Sequence, residues 1–375
     1  MFSVVISTPD VVGERMAGPG IRAWHFAEEL AKHFQTTLIA NLEGGAPARS
    51  SFAVANRGSA EARAAMRRAS VLIGQPARRF HRLRREQRII YDLFDPILLE
   101  LRETYGRHPS LRQRIHLGAE RWRLRRALQE GDLLICATAR QRELYDGVAD
   151  RMIEVPFGID LGEIAGATGF SPSDGGLKAA APLVLWGGGT WEWLDPATAV
   201  DAVVQLNREG VACHLLFLGR WRPNRQMIDR RREDRFDQLL DAGKPYVSSN
   251  ENWVPYRERL SWLRRSRIAV MLHRPTAEAV YSIRTRLFDA IAAGVPVITT
   301  EEGYAAELVR RERLGLVVPP LDRSAVAAAI RRLLQDDVFY AECVSNLERV
   351  RPRFAWDAVT GPLIEAVREW QKQAD

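Results

Sequence analysis

The chain has 375 residues, a formal net charge of +7 and an isoelectric point near 9.6, and this length predicts two domains, each with its own core. Its cysteines, Cys136, Cys213 and Cys343, lie far apart without a C-x-x-C spacing, which argues against a disulfide framework or a zinc site and favours small buried side chains. No apolar run approaches the roughly 20 residues of a membrane span, and the first residues lack the features of a signal peptide, so we expect a cytoplasmic protein.

The first half of the chain alternates strands and helices. An apolar strand at 2–7 is followed by a glycine-rich loop, by a helix whose apolar residues recur at helical spacing from Ile21 to Phe34, and by a strand at 37–40. Such a unit of strand, helix and strand predicts a parallel sheet. Four further strands are predicted, at 71–73, 88–91, 133–137 and 152–155.

The segment YDLFDP, residues 91–96, carries two acids at the end of a predicted strand. One interpretation is local: Asp95 caps the following helix, with Pro96 at its first position, and Asp92 is a turn residue. The alternative is that the carboxylate of Asp95 handles the hydroxyl of a bound substrate. The sequence leaves both interpretations open.

A long helix is predicted at 110–130, closed by Gly131. We expect its arginines to face solvent and its apolar residues to face inward, namely Leu111, Ile115, Trp122 and Leu128. This helix ends the most basic part of the chain, since residues 61–130 hold 17 Arg against 8 Asp and Glu. A GC-rich genome produces such a bias without functional demand, but the charge also suits an anionic membrane surface or nucleic acid.

Residues 158–181 are rich in Gly, Ser and Pro and predict an interdomain linker. The alternation then restarts with a strand at 183–186, a glycine-rich loop at 187–196 and a helix at 197–209. Further strands are predicted at 213–218, 246–247 and 268–272, and helical segments at 222–243, 257–265 and 323–335. The pattern predicts an α/β protein of two Rossmann-like domains facing each other across a cleft, with ligands at the carboxyl ends of the strands.

The glycine-rich loops allow backbone N–H groups to approach a phosphate, but neither has the G-x-G-x-x-G spacing of a dinucleotide site. A nicotinamide or flavin enzyme is therefore disfavoured. The sequence also lacks an H-E-x-x-H motif and a D-x-D pair, so we expect no metal ion at the site. His273 ends a buried strand, where α/β active sites gather, and is a candidate binding residue. Four aromatic residues either stack on a base or sugar or belong to the core, namely Trp191, Trp193, Trp253 and Tyr256.

The segment 278–302, EAVYSIRTRLFDAIAAGVPVITTEE, predicts a loop, a helix and a buried strand at 295–300. We expect Ser282 to cap the helix and Gly294 to end it. The unpaired N–H groups of the first turn then face a ligand, and Arg284 and Arg286 add positive charge. The predicted ligand is an anion, in the first place a phosphate.

An ordered series of motifs over most of the chain resembles the GT-B glycosyltransferases, and among them the retaining family four, the group 1 glycosyl transferases. The motifs are GPGIR in the first loop, VPFGID before the linker, GGG in the second glycine-rich loop, WVPY before a helix, and RTRLFDAIAAGVPVITTEEG. The resemblance implies an acceptor-binding domain at 1–157 and a nucleotide-sugar-binding domain at 182–351. It also implies that a C-terminal helix at 352–375 packs back on the first domain.

Carried over to this chain, the resemblance assigns the ribose to Asp289, where the family has a glutamate. The family has its second acid eight positions earlier, where this chain has Tyr281, so Glu278 is interpreted as the partner of the transferred sugar. Backbone amides at 281–283 are expected on the distal phosphate.

This chain also lacks the Arg and Lys that the family carries after the first strand of its second domain, and Arg220, Arg284 and Arg286 are expected to supply that charge. The catalytic candidates are Asp95 and Glu278. The donor-binding candidates are Gly18, Gly20, Gly188, Gly189, Thr190, Arg220, His273, Tyr281, Ser282, Arg284, Arg286 and Asp289.

The resemblance implies transfer of a sugar from a nucleotide-diphosphate sugar to an acceptor hydroxyl, with retention of the anomeric configuration and without a metal or other cofactor. The leaving diphosphate would accept the proton, so no protein nucleophile is needed. The expected acceptor is a glycan, a lipid-linked sugar or a small molecule of polysaccharide, glycolipid or natural-product biosynthesis, met in the cytoplasm or at the inner face of the membrane. Two alternatives stay open: a nucleotide-sugar epimerase of the same fold, and a non-catalytic Arg-rich nucleic-acid-binding protein, although no recognition motif for nucleic acid is present.

Overall fold

The computed structural model describes residues 2–43, 51–166, 181–219, 230–250 and 253–374. The chain divides into two compact units. Unit 1 comprises Met1–Gly158, Tyr281–Ile283 and Phe354–Asp375, and unit 2 comprises Ile159–Val280 and Arg284–Arg353. The last segment of the chain is therefore part of unit 1.

Unit 1 is built on a parallel sheet with seven strands among its described residues. In chain order these are β1 (Ser3–Val12), β2 (Gln35–Leu42), β3 (Ala53–Asn56), β4 (Val71–Gly74), β5 (Arg88–Asp92), β6 (Leu133–Cys136) and β7 (Met152–Glu154). They lie in the order β3-β2-β1-β4-β5-β6-β7, and each neighbouring pair is parallel. Because the order reverses at β1, the unit is doubly wound, like a Rossmann domain.

Of the five α-helices described within residues 2–158, three begin after a residue whose side chain accepts a hydrogen bond from the first turn. The five are α1 (Gly18–Ala31), α2 (Ala60–Arg68), α3 (Ile97–Tyr105), α4 (Leu111–Glu130) and α5 (Ala139–Arg142), followed by a 3-10 segment at Glu143–Arg151. Ser59 caps α2, and Ser110 caps α4 in a capping box with Gln113. Such a box satisfies two backbone donors at once, which explains why the long helix begins where it does.

Unit 2 begins with the short helix α6 (Leu161–Gly166) and repeats the architecture with six parallel strands among its described residues. The strands are β8 (Leu183–Gly187), β9 (His214–Leu218), β10 (Val247–Ser249), β11 (Ile268–Met271), β12 (Val297–Thr300) and β13 (Gly315–Val318), in the order β10-β9-β8-β11-β12-β13. Every residue of β11 and β12 is buried, as expected for central strands of a parallel sheet covered on both faces.

The remaining helices follow the strands of unit 2 and then complete unit 1. They are α7 (Pro196–Arg208), α8 (Arg230–Gly243), α9 (Arg259–Arg264), α10 (Ala277–Tyr281), α11 (Thr285–Ala293), α12 (Gly303–Glu312), α13 (Arg323–Gln335), α14 (Asp337–Val350), α15 (Trp356–Val359) and α16 (Gly361–Ala374), with 3-10 segments at Tyr256–Glu258 and Arg351–Phe354. Asp195, Asp322 and Asp336 accept hydrogen bonds at the starts of α7, α13 and α14.

The C-terminal segment packs within unit 1 through Trp356. Its ring stacks on His25 of α1 at 4.9 Å between centroids and meets Phe157 edge to face at 5.1 Å. A Cβ at Gly158 would lie only 2.3 Å from a ring carbon of Trp356, so glycine is required for this close contact. The short helix α6 occupies the start of the predicted linker, and residues 167–180 of that linker lie outside the described residues.

The predicted α/β class with two parallel sheets is confirmed. Most predicted strands are present within two residues of their predicted ends. The elements β3, β13, α2, α5, α12 and α14 had no matching prediction, and the short helix α10 lies where a loop was predicted. The cysteines, Cys136, Cys213 and Cys343, are buried and free, as expected.

The predicted orientation of α4 is wrong for three of its four apolar residues. Leu111, Ile115 and Trp122 are 74%, 66% and 54% exposed, and only Leu128 packs partly against the core of unit 1. The buried side of α4 is formed around Ala127 instead. Helical spacing identifies residues that share a face, but it does not determine which face turns inward.

Candidate functional site

The candidate site lies at the carboxyl ends of β8 and β11 in unit 2. These strands are neighbours, and the strand order reverses at β8, which lies between β9 and β11. In doubly wound sheets such a reversal opens a crevice at the carboxyl ends of the strands, where ligands bind. The glycine-rich loop follows β8, and His273 lies two residues after the end of β11.

Gly188 and Gly189 form the turn directly after β8. Gly188 has a φ of +112°, which favours glycine, and a Cβ there would lie 3.6 Å from Nε of Arg286. A Cβ at Gly189 would lie 3.4 Å from the ring of Trp191. One side of the loop is therefore covered by an arginine and an aromatic ring, and the next residue, Thr190, is partly exposed.

Arg286 lies in the first turn of α11 and reaches the glycine-rich loop. Its Nη2 donates a hydrogen bond to the carbonyl oxygen of Gly189, and its guanidinium carbon lies 5.4 Å from the ring centroid of Trp186. Its Nη1 is shielded from solvent and has no hydrogen-bond partner among the described residues. Burial, and then the charge of Arg284, lowers the pKa of Arg286 to about 9, which leaves the guanidinium charged at neutral pH. An anion would complete this arrangement because it supplies the missing acceptor and the missing charge.

Arg284 and Glu278 form a buried bidentate ion pair. Nη1 and Nη2 of Arg284 donate to the two carboxylate oxygens of Glu278 over 2.7 and 2.6 Å, and the side chains are 10% and 1% exposed. The pair joins α10, which carries Glu278, to the N-cap residue of α11. The sequence predicts that the two side chains contact different parts of a ligand; in the structure they contact each other.

His273 is buried next to the two arginines. Its backbone N–H donates to Oγ1 of Thr300 over 3.0 Å, and its Nδ1 lies 2.8 Å from the same oxygen. Burial, followed by the charges of Arg284 and Arg286, lowers the pKa of His273 well below its usual range, so the ring is neutral at pH 7. Nε2 is buried without a partner among the described residues and can donate or accept, depending on the tautomer.

Helix α11 begins at Thr285, and in the part of the chain that the structure describes no side chain caps its first turn. The prediction that Ser282 caps this helix is wrong, because the extended residue Arg284 occupies the N-cap position and Ser282 precedes it by two residues. Ser282 is 5% exposed, and its Oγ has no described hydrogen-bond partner. Tyr281 ends α10 and is partly buried. The first turn of α11 therefore keeps backbone donors that an anion can accept.

Asp289 lies farther along α11 and is held by Arg259. Nε of Arg259 donates to Oδ1 of Asp289 over 3.0 Å, while Nη1 donates to Glu163 of α6 over 2.9 Å. The guanidinium carbon of Arg259 also lies 3.6 Å from the ring centroid of Tyr256. Asp289 is 24% exposed, and its predicted contact with a ribose stays a prediction.

In unit 1, Asp95 follows β5 at the carboxyl edge of the sheet. The interpretation of Asp95 as a helix cap is wrong: Pro96 is the N-cap residue of α3, and the cap makes no side-chain hydrogen bond. Burial, and then the nearby acids Glu100, Asp10 and Asp92, raise the pKa of Asp95 well above its usual range. A carboxyl group that keeps its proton in this way is a candidate general acid or base.

Arg22 and Asp92 form a buried pair that the sequence interpretation missed. Arg22 is 1% exposed, donates to Asp92 from Nε over 2.8 Å and from Nη2 over 3.2 Å, and also donates to the carbonyls of Val155 and Pro156. The prediction of Asp92 as a turn residue is therefore wrong. The sequence contained a signal that Arg22 is buried, because it belongs to the GPGIR segment and lies next to Ile21, on the side of α1 that faces inward.

The two glycines of the first loop have structural explanations within unit 1. Gly18 is the first residue of α1, and a Cβ at Gly20 would lie 2.4 Å from the carbonyl oxygen of Val11 in β1. Helix α1 can therefore approach β1 closely only with glycine at position 20. Contact of either glycine with a sugar donor stays a prediction.

Arg220, the last donor-binding candidate, lies outside the described residues. Within the described ranges, no group of three or more His, Cys, Asp or Glu side chains could hold a metal ion. The same ranges contain no helix whose length and apolar character would let it cross a membrane.

Residues 181–336 match the sequence model of the family described as "Glycosyl transferases group 1". Sucrose-phosphate synthase 4 of Arabidopsis thaliana is 33% identical over 70 residues, which is 19% of this chain and 7% of that protein. Sucrose-phosphate synthase of Zea mays is 31% identical over 70 residues, again 19% of this chain and 7% of that protein. The matches to these curated relatives thus span less than a tenth of their length.

Solved structures resemble the chain over its full length. A sucrose-phosphate synthase from Thermosynechococcus elongatus has a TM-score of 0.72 at 19% identity and is covered, like this chain, over 100% of its length. WaaG, a glycosyltransferase involved in lipopolysaccharide biosynthesis, has a TM-score of 0.68 at 16% identity, with coverage of 97% of this chain and 99% of WaaG. HepE of Anabaena, in complex with UDP-glucose, has a TM-score of 0.68 at 13% identity, with coverage of 98% and 100%. At these identities the likeness shows the fold, which is GT-B.

Proposed function

We propose that this protein transfers a sugar from a nucleotide-diphosphate sugar to an acceptor hydroxyl. The proposal rests on the glycosyl transferases group 1 domain at residues 181–336 and on the GT-B fold of the chain. The observation that carries the proposal is the shielded Nη1 of Arg286 beside the glycine-rich loop after β8, which has no partner among the described residues. In this proposal unit 2 binds the donor and unit 1 binds the acceptor. The description of HepE in complex with UDP-glucose supports a donor of this class.

The diphosphate of the donor matches the unsatisfied groups of unit 2. Nη1 of Arg286, Nε2 of His273 and the backbone N–H groups at the start of α11 are hydrogen-bonding atoms without described side-chain partners. We expect the phosphate oxygens to accept from Arg286 and from these N–H groups, since a helix N-terminus and an arginine both favour negative charge.

The same contacts would accelerate the reaction. As the bond between the anomeric carbon and the diphosphate oxygen breaks, negative charge builds on the diphosphate. A cation fixed next to those oxygens then stabilises the transition state more than the ground state, and removal of such a donor from other enzymes costs roughly 3 kcal/mol. Arg286 would therefore be the main electrostatic catalyst of the proposed reaction.

We further propose that the anomeric configuration is retained through a front-face route. The acceptor oxygen then bonds to the anomeric carbon on the face from which the diphosphate leaves, and the proton of the acceptor hydroxyl passes to the diphosphate. This route needs neither a protein nucleophile nor a metal ion or other cofactor. Asp95, whose raised pKa keeps its carboxyl protonated to higher pH, is the candidate in unit 1 for holding the acceptor hydroxyl.

The role of Glu278 in this mechanism depends on whether its ion pair with Arg284 persists when the donor binds. Its predicted contact with the transferred sugar requires the pair with Arg284 to open, because the Glu278 side chain is only 1% exposed and both of its oxygens face that guanidinium. If the pair persists, Glu278 acts as a positioning residue that orients Arg284 towards the diphosphate.

The acceptor is proposed to be a glycan, a lipid-linked sugar or a small molecule in polysaccharide, glycolipid or natural-product biosynthesis. The description of WaaG as an enzyme of lipopolysaccharide biosynthesis supports the second of these. The reaction would then take place in the cytoplasm or at the inner face of the membrane.

A thermal-shift screen against nucleoside diphosphates and their sugar conjugates tests the proposal. A ligand present at about 100 times its dissociation constant stabilises the folded chain by about 2.7 kcal/mol, which is readily measured. We expect stabilisation by one nucleotide class, followed by release of that nucleoside diphosphate when an acceptor is added. A chain that no nucleotide or nucleotide sugar stabilises would contradict the proposal. Conversion of the donor sugar without any acceptor would assign the chain to the epimerases instead.

A further inference from the structure

Three of the most exposed large apolar side chains of the described chain share one face of α4. Leu111, Ile115 and Trp122 are 74%, 66% and 54% exposed. Because successive residues of an α-helix are separated by about 100°, these three side chains project within roughly 40° of one another. A solvent-facing stripe of Leu, Ile and Trp is unfavourable in water and marks a surface that another apolar phase covers.

Arginines border this stripe. Arg114, Arg121 and Arg125 project on one side of it and are exposed, and Arg112 is exposed on the other side. The acid within the middle of α4, Glu120, projects from the opposite side of the helix and is 12% exposed. The exposed surface of α4 therefore combines apolar side chains with positive charge.

We propose that this surface, the α4 face (Leu111, Arg114, Ile115, Arg121, Trp122 and Arg125), docks on the surface of a bilayer that contains anionic lipid. Leu111 and Ile115 would enter the boundary between headgroups and acyl chains, and the indole ring of Trp122 would lie at the level of the headgroups. The arginines would reach outward to lipid phosphates while their aliphatic parts stay in apolar contact. The α4 face is independent of the proposed glycosyl transfer, which concerns other residues.

The basic surroundings of α4 favour the same partner. A groove of about 810 Å³ adjoins the C-terminal end of the helix. Its charged lining consists of Arg82, Arg88, Arg126, Arg151, Glu130 and Asp132. The arginines outnumber the acids, so the groove extends the positive potential of the α4 face and adds to its attraction for anionic headgroups.

Two other occupants fit the observations less well. In a symmetric dimer built on this face, the same arginines of both copies would approach one another, which is repulsive. Nucleic acid would satisfy the arginines through its phosphates, but phosphate contacts leave the stripe of Leu111 and Ile115 uncovered. A lipid bilayer satisfies both parts of the surface.

Co-sedimentation of the full chain with large unilamellar vesicles tests the proposal. One set of vesicles contains phosphatidylcholine alone, and the other contains phosphatidylcholine with phosphatidylglycerol. We expect binding to the anionic vesicles, weakened by salt, and much less binding to the neutral ones. The variant Arg114→Gln/Arg121→Gln/Arg125→Gln should weaken binding by about fivefold for each arginine removed. Leu111→Ser/Ile115→Ser/Trp122→Ser should weaken it at every salt concentration.

Matched controls come from unit 2. Arg208→Gln/Arg257→Gln/Arg323→Gln removes the same charge from exposed positions, and Leu321→Ser/Val338→Ser removes apolar groups that are 58% and 83% exposed. Neither control should change binding to vesicles. Circular dichroism and thermal unfolding of each variant establish that it is folded, which we expect because the substituted side chains are exposed.

Several results would overturn the proposal. These are the absence of binding to anionic vesicles, equal binding to both kinds of vesicle, or loss of binding in the unit 2 controls but not in the α4 variants. Binding of single-stranded RNA that the α4 variants abolish, without vesicle binding, would assign the face to nucleic acid. A dimer in solution that the apolar variant converts to monomers would assign it to a second copy of the chain.

Discussion

Two arginines, Arg22 in unit 1 and Arg286 in unit 2, differ in how many of their guanidinium nitrogens have a described hydrogen-bond acceptor. In unit 1 the guanidinium of Arg22 is 1% exposed, and its Nε, Nη1 and Nη2 all donate to described acceptors. It also lies 4.4 Å from the ring centroid of Phe26 and 4.6 Å from that of Phe94. In unit 2, Arg286 donates to one carbonyl, while its shielded Nη1 has no partner among the described residues.

This difference separates a structural arginine from a ligand-binding one. A buried cation whose donors are all satisfied fixes the elements that it joins, in this case α1, β5 and the segment after β7. A shielded donor without an acceptor costs free energy in the folded chain, and an anionic ligand recovers that cost. Arg22 is therefore expected to affect stability, and Arg286 to affect binding and catalysis.

The largest expected effect is the loss of stability in Arg22→Ala. This change leaves the carboxylate of Asp92 buried without its partner, which costs about 3–5 kcal/mol of unfolding free energy. Urea denaturation followed by circular dichroism measures the effect, and Arg208→Ala at an exposed position is the control. A cost below about 1 kcal/mol in Arg22→Ala would contradict a structural role, since Arg22 would then resemble a surface arginine.

A second prediction asks whether Arg284, which pairs with Glu278 in the candidate site of unit 2, is also a structural arginine. Glu278→Gln removes the charge from a bidentate contact that is almost fully buried, and we expect a loss of roughly 3 kcal/mol in unfolding free energy. The surface pair of Arg310 and Glu301 is the matched control, and Glu301→Gln should cost less than about 1 kcal/mol. Equal stability of the two variants would show that Glu278 is held for a ligand and not for the fold.

Gly20 and Gly118 differ in a similar way, because only Gly20 is in close contact with another part of the chain. Gly20→Ala would bring a Cβ to 2.4 Å from the carbonyl oxygen of Val11, so the backbone must move, at a cost of roughly 1–3 kcal/mol. Gly118→Ala on α4 is the matched control, because open space surrounds that position and alanine should stabilise the helix by about 0.5–1 kcal/mol. Thermal unfolding compares the two. A neutral Gly20→Ala would mean that this glycine is not required for packing.

The smallest expected effect concerns Glu312, a carboxylate of unit 2 that is only 10% exposed and that three arginines share. Hydrogen bonds from Arg353, and then from Arg311 and Arg349, lower the pKa of Glu312 from 4.5 to about 2. Since the folded pKa lies below the unfolded one, the contribution of Glu312 to stability is complete above pH 4.5 and is lost as the pH falls towards 2. Denaturation of Glu312→Gln should show a deficit of roughly 1 kcal/mol at pH 7 that disappears near pH 2. A deficit that does not change with pH would contradict this origin.

Much of the fold is predictable from local sequence. Buried parallel strands are continuous apolar runs, so β11 and β12 were identifiable, and α13 has the predicted ends because Asp322 caps it. The orientation of α4 was not predictable, because periodicity defines a face without stating which side the rest of the chain covers. The short strand β3 carries too few residues for an alternating pattern.

The candidate site was predictable as a set of residues but not as a set of contacts. Gly188, His273 and Arg286 come together because adjacent parallel strands end at one edge of the sheet, which the order of elements predicts. The partner of each arginine depends on packing. Arg22 and Asp92 are 70 residues apart in the chain, and the pair of Arg284 and Glu278 depends on the break between α10 and α11.

Isothermal titration of nucleoside diphosphates into the wild-type chain and into Arg286→Ala tests directly whether Arg286 binds the diphosphate, with Arg208→Ala as the control for a loss of positive charge. We expect a dissociation constant about 10–100 times higher for Arg286→Ala, since a hydrogen bond between charged groups contributes roughly 1.5–3 kcal/mol. We also expect unchanged or slightly increased stability of the unliganded variant. Nucleotide binding that is as tight in Arg286→Ala as in the wild type would contradict this role of Arg286.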